Sequence, residues 1–117
     1  MAALLGICGS LRKASINRAL LEAIATNLPP GSTLSIFESV ELPIFNSDVG
    51  DPTAVVSLKA AIAAADGVVF AVPEYNYSIP GGLKNALDWV SRPPASSPLR
   101  RKPVAITVTL HAVLHEQ

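Results

Sequence analysis

Two short stretches of this chain are apolar throughout, with neither a charge nor an alternation: Ala3-Leu-Leu-Gly-Ile-Cys8 and Val68-Val-Phe-Ala-Val72. A strand with one wet face alternates, so runs of this length predict strands buried on both faces. Such strands belong to parallel sheets, whose crossover helices cover the two sides. The intervening segments agree. From Ile16, the apolar positions Ile16, Ala19, Leu20, Ala23, Ile24 and Leu28 recur at helical spacing, with Ser15 as the expected N-cap and Pro29-Pro30-Gly31 as the stop. Thr33–Phe37 alternates, with Leu34 and Ile36 on one side. Pro52 is expected to open a second helix capped by Asp51, with Val55, Leu58, Ile62 and Ala65 inward. Leu83, Ala86, Leu87 and Val90 trace a third helix, and Pro103–Leu110 reads as a fourth strand. The order β-α-β-α-β-α-β predicts an α/β fold: a doubly wound parallel sheet with helices on both faces.

Composition narrows the class further. At 117 residues the chain reads as one domain, residues 1–117, long enough to bury its own core. Half the residues are apolar and 15% are charged, which excludes a disordered tail. Nine basic residues balance nine acidic ones, so no nucleic-acid partner is expected. Cys8 is the only cysteine, which rules out an internal disulfide and a cysteine-built metal site. The opening apolar run has no basic residue ahead of it, unlike a signal peptide, and no run approaches membrane-spanning length. A cytoplasmic protein without membrane association is the expectation.

Two loops carry most of the chemistry. In doubly wound sheets ligands bind beyond the carboxyl ends of the strands, where the strand order reverses. The loops after the first and third strands, Gly9–Asn17 and Pro73–Ser78, fall there. In the first, Gly9 permits close backbone approach and the helix N-terminus offers unpaired amides to an anion. Ser10 and Ser15 add hydroxyls, Asn17 an amide and Arg12 a positive charge, a donor set suited to a phosphate monoester. Neither a Gly-x-Gly-x-x-Gly fingerprint nor a Walker A loop is present. In the second, Tyr75 and Tyr77 can wall a planar ring system while amides around Asn76 meet its polar edge. Pro73 leaves the strand without a backbone donor, Ser78 can cap the next helix, and Glu74 is the loop's one carboxylate. A phosphate at one loop and a flat ring at the other describe a mononucleotide, and FMN suits the pair better than AMP.

These residues carry a family resemblance. Gly-Ser-Leu-Arg-Lys-Ala-Ser-Ile-Asn at 9–17 resembles the phosphate loop of the NAD(P)H-dependent FMN reductases, in the branch of quinone and chromate reductases. Pro-Glu-Tyr-Asn-Tyr-Ser-Ile-Pro-Gly-Gly-Leu-Lys-Asn-Ala-Leu-Asp-Trp at 73–89 is similar to that family's flavin-ring loop and following helix, and Leu42-Pro-Ile-Phe-Asn-Ser-Asp48 to a segment after its second strand. The resemblance implies a flavodoxin-like fold, non-covalent FMN, and NAD(P)H as co-substrate. It implies hydride transfer to the flavin and on to a small-molecule acceptor: a quinone, azo compound, free flavin or chromate. Carried over by residue, Ser10, Arg12, Ser15 and Asn17 would hold the phosphate. Pro73, Glu74, Tyr75, Asn76, Tyr77 and Ser78 would border the ring. A homodimer or tetramer is implied. No catalytic side chain and no metal is expected, because hydride chemistry belongs to the cofactor.

Beyond Ile106 the resemblance read from these motifs stops, and Thr-Val-Thr-Leu-His-Ala-Val-Leu-His-Glu-Gln departs from the family pattern. The expectation is an incomplete flavodoxin-like domain, truncated or altered at its C-terminus and lacking the last strand and helix, with weakened FMN affinity and activity. The face carrying the first helix, including Val69, Ala71, Val104 and Ile106 or their opposite-face neighbours, is expected to be exposed, and the fourth strand to be an open edge. Two other readings follow: a catalytically impaired form that acts only as an interaction or oligomerisation partner, or a nucleotide-binding module without flavin. His111 and His115 stand at i, i+4 but lack a third ligand, so a loose tail is preferred to a metal site. Cys8 reads as a buried thiol and Trp89 as packing. Arg100-Arg101-Lys102 reads as a solvated turn, with contact to a phosphate of NADPH as the lesser alternative.

Overall fold

The computed structural model describes residues 2–9, 16–37, 42–73 and 81–109. Eight elements follow in chain order: β1 (Ala3–Cys8), α1 (Ile16–Thr26), β2 (Thr33–Phe37), α2 (Thr53–Ala64), β3 (Gly67–Pro73), α3 (Gly81–Val90), a 3₁₀ turn (Pro94–Ser96) and β4 (Val104–Thr109). The four strands form one parallel sheet in the order β2-β1-β3-β4. This is the flavodoxin-like arrangement, with the order reversing between β1 and β3.

Both apolar runs occupy the middle of the sheet. Their alternate side chains divide between two cores. Leu5, Ile7, Val68, Phe70 and Val72 meet Leu58 and Ile62 of α2 and Leu83, Ala86 and Val90 of α3. On the reverse face Cys8, Val69 and Ala71 meet Leu21 of α1. Burial of one such branched or aromatic side chain contributes about 1.5–3 kcal/mol. Val55, Leu58, Ile62 and Ala65 are buried as the spacing predicts. Cys8 is buried and unpaired.

The phase of α1 differs from the expectation. Ile16 is 62% exposed, Ala19 and Ala23 face water, and the buried pair is Asn17 and Leu21. The sheet sets this phase. Gly6 of β1 presents no side chain, and a Cβ there would lie 3.2 Å from Leu21 Cδ2 and 3.0 Å from Leu34 Cδ2. Leu21 therefore rests on the bare backbone of a central strand, which fixes the rotation of the helix.

The cap of α2 is also a correction. Pro52 rather than Asp51 occupies the N-cap position, without a side-chain hydrogen bond, and its carbonyl accepts from the amides of Val55 and Val56 at 3.0 Å. The Asp51 carboxylate instead accepts from Lys59 Nζ at 2.7 Å, and the same ammonium donates to Arg92 O at 2.6 Å. One lysine thus ties the segment before α2 and the connection after α3 to a single helix.

The expected open face is found in part: Val104 and Ile106 are exposed as expected, whereas Val69 and Ala71 are not. Val69 and Ala71 are buried beneath α1, at 8% and 0% exposure. The exposed residues are Val104, Ile106 and Val108 of β4, at 46%, 65% and 58%. They pair with Val68, Phe70 and Val72, so they lie on the α2/α3 face. Leu21 of α1 packs over β3 on its own side, whereas Leu83, Ala86 and Val90 of α3 pack on the core of β1 and β3 and leave this face of β4 bare. Among the described residues β4 pairs with β3 alone.

Candidate functional site

The site is built from strand ends. Cys8 of β1 pairs with Ala71 of β3, and the Gly9 amide donates to Ala71 O at 2.8 Å, extending the ladder one residue past the strand. The two chains that leave this ladder therefore start as neighbours, at the end of the sheet where the order reverses. Pro73 closes β3, paired with Thr109 of β4. Asn17, in the first turn of α1, is 2% exposed at that same end and is not without a partner. Helix α1 has no acidic residue in its first turn, so its positive end is not neutralised from within.

Of the expected site residues, Asn17 and Pro73 lie within the described elements, at the same end of the sheet. Ser10, Arg12, Ser15, Glu74, Tyr75, Asn76, Tyr77 and Ser78 lie outside the described residues, as do the caps expected of Ser15 and Ser78. So do His111 and His115. Of the described groups, the N-terminus of α1, with no acidic residue in its first turn, fits a phosphate on chemical grounds, while the Gly9 amide is already engaged with Ala71 O.

A supporting clamp escaped the sequence reading. Asn85, in the second turn of α3, reads the backbone of the 42–45 segment in both directions. Its Oδ1 accepts from Phe45 N at 2.7 Å, and its Nδ2 donates to Pro43 O at 2.8 Å and Leu42 O at 3.3 Å. One turn on, Trp89 Nε1 donates to the same Pro43 carbonyl at 2.6 Å. The Phe45 ring meets Trp89 edge-on, centroids 4.9 Å apart, and Arg92 lies 5.5 Å over Phe45. Trp89 is packing, as expected, and it is also a donor. The signal in the sequence was an amide and an indole at i, i+4 on an otherwise apolar helix face.

Arg100 and Arg101 of the basic triplet are exposed, as expected of a solvated turn, while Lys102 is half-buried. Lys102 Nζ donates to Ala65 O and, at 3.4 Å, to Ala63 O, covering carbonyls left open at the C-terminal end of α2. That end faces the start of β4, about 20 Å from the loop end along a seven-residue strand. Lys102 is therefore engaged at the opposite end of the strand from the two loops. Among the described residues no cluster of three or more His, Cys, Asp or Glu could hold a metal, and no helix is long and apolar enough to cross a membrane.

A strand order of 2-1-3-4 with its two richest loops at the reversal defines the flavodoxin-like class. The chain matches the family model described as NADPH-dependent FMN reductase over residues 2–116, past the position where the motif resemblance ends. It is 48% identical over 105 residues to an NAD(P)H-dependent FMN reductase of Pseudomonas aeruginosa, covering 87% of this chain and 56% of that protein. It is 42% identical over 113 residues to a quinone reductase of Escherichia coli, covering 92% of this chain and 60% of that one. Among solved structures, the flavoenzyme NAD(P)H:(acceptor) oxidoreductase of Paracoccus denitrificans superposes with a TM-score of 0.84 at 33% identity, over 92% of this chain and 60% of that chain. The chain belongs to the NADPH-dependent FMN reductase family. It spans somewhat more than half the length of the relatives it matches.

Proposed function

We propose that this chain is an FMN-binding NAD(P)H oxidoreductase unit, passing hydride from the nicotinamide to the flavin and electrons on to a small acceptor such as a quinone, azo compound, free flavin or chromate. The observation that carries this reading is the Gly9–Ala71 hydrogen bond, which supports a common origin for the two loops at the order reversal. In this reading Ser10, Arg12, Ser15 and Asn17 bind the phosphate. Pro73, Glu74, Tyr75, Asn76, Tyr77 and Ser78 border the ring and shield it from water. Bound FMN supplies the hydride-accepting chemistry, and the chain orients it. The clamp on 42–45 by Asn85 and Trp89 supports a firm wall beside the second loop. A cytoplasmic homodimer or tetramer, acting on small molecules and not on nucleic acid, completes the proposal.

Purified protein titrated with FMN, riboflavin and AMP tests it. FMN is expected to bind most tightly, and riboflavin more weakly by the phosphate contribution. Loss of one charge-assisted contact in Arg12→Ala is expected to weaken FMN binding roughly tenfold to a hundredfold while leaving riboflavin binding unchanged. Equal affinity for FMN and riboflavin, or a preference for AMP, would refute the assignment.

A further inference from the structure

We infer that Ile44 is a specificity-determining residue for the electron acceptor, an apolar contact for a quinone ring, and that Asn85 is the positioning residue that holds it in place. The inference deepens the flavin reading and rests on it. Leu42, Ile44 and Phe45 are apolar neighbours in sequence that meet different surroundings. Leu42 packs against the α2/α3 core and the Phe45 ring turns onto Trp89. Ile44 between them is 87% exposed, the most exposed large hydrophobic among the described residues. A single exposed isoleucine is ordinary on a protein surface. Here the exposure is enforced by the backbone.

The carbonyl of the peptide before Ile44, Pro43 O, accepts from Asn85 Nδ2 at 2.8 Å and Trp89 Nε1 at 2.6 Å. The amide of the peptide after it, Phe45 N, donates to Asn85 Oδ1 at 2.7 Å. Both peptide groups that flank Ile44 are thus held by one helix, and the residue cannot turn inward without giving up these bonds. The segment is braced further along as well. Arg92 lies over Phe45, its carbonyl accepts from Lys59 Nζ, and the same ammonium holds Asp51. Asn85 stands about 6 Å along α3 from Gly81, where the second loop enters the helix, so the clamp grips the half of α3 nearer the loop end. Chemistry then selects the ligand. A branched side chain without a polar atom favours a planar apolar ring and contributes nothing to a hydrated oxyanion. Among the proposed acceptors it therefore favours a quinone over chromate. In each turnover NAD(P)H gives up a hydride and becomes NAD(P)+. The quinone leaves as hydroquinone, with those two electrons and two protons, one of them drawn from water.

The test compares menadione, an apolar quinone, with ferricyanide, a hydrated anion, as acceptors for the purified chain supplied with FMN and NADPH. Ile44→Ser, at a site too exposed to disturb the fold, is expected to raise KM for menadione about threefold to tenfold. The kcat with menadione, KM for ferricyanide and the rate of flavin reduction by NADPH are expected to stay unchanged. Asn85→Ala is expected to raise KM for menadione in the same way, and the double variant to be no worse than either single one, because Asn85 acts through Ile44. Amide hydrogen exchange supplies a readout without cofactor: the Phe45 amide should exchange about tenfold faster in Asn85→Ala. Should Asn85→Ala fail to fold, Ile44→Ser decides alone. A menadione KM unmoved by Ile44→Ser, equal effects on menadione and ferricyanide, or additive effects in the double variant would overturn the inference and leave the flavin reading standing. A chain that binds no FMN would overturn that reading, and this inference with it.

Discussion

β3 and β4 are made of similar material and lie side by side, Val68 against Val104, Phe70 against Ile106, Val72 against Val108. The first member of each pair is 2–7% exposed and the second 46–65%. Hydropathy therefore does not decide burial in this sheet. What decides it is whether a helix crosses above. β3 lies between α1 on one side and α2 with α3 on the other, whereas β4 is flanked by β3 and little else among the described residues. Identical rungs of a ladder consequently carry different shares of the stability.

The contrast can be broken or sharpened by substitution, read as urea midpoints converted to free energy. Phe70→Ala is expected to cost about 3–5 kcal/mol, because the cavity opens between α2, α3 and the sheet. Gly6→Ala probes the reverse face. Its new Cβ would press on Leu34 and Leu21, and a loss of about 1–3 kcal/mol is expected. Lys102→Met asks whether β4 is held from its base; uncapping the end of α2 should cost about 0.5–1.5 kcal/mol. Thr107→Val should act in the opposite direction. Thr107 Oγ1 is buried without a hydrogen-bond partner among the described residues, so a methyl in its place is expected to stabilise by up to about 1 kcal/mol. Ile106→Thr, on the exposed rung beside Phe70, should change stability by less than about 0.5 kcal/mol. A cost at Ile106 approaching that at Phe70 would mean that β4 is covered in solution, and the contrast would fail.

Much of this was legible in the residues because the constraints were local. The bounds of β1 and β2, the inward face of α2 and the burial of Cys8 follow from runs, alternation and spacing. The errors came where a distant group decided the matter. Leu21 is chosen as the buried residue of α1 by the bare Gly6 on another element, which no helical wheel contains. Asp51 was read as a cap from its position, yet Lys59, eight residues on, holds its carboxylate. Lys102 looked like part of a solvated triplet until α2 ended above it. Val69 and Ala71 were expected to share the exposure of Val104 and Ile106, yet Leu21 of α1 packs on the first two, a reach across the sheet that no local pattern carries. At the site, the pairing of two loops followed from strand order alone, while the Asn85 clamp required knowing that residues 42–45 return to α3.

Asp66 joins the two central strands at their origin: the Ala3 amide donates to Asp66 Oδ2 at 2.8 Å, and the Asp66 amide donates to Ala3 O at 2.7 Å. The chain's first residues are thereby pinned to the pole away from Gly9 and Pro73. A purification handle or surface tether grafted ahead of Ala2 would emerge from that pole. An immobilised molecule would then hold the Gly9 and Pro73 end outward, away from the surface that carries it.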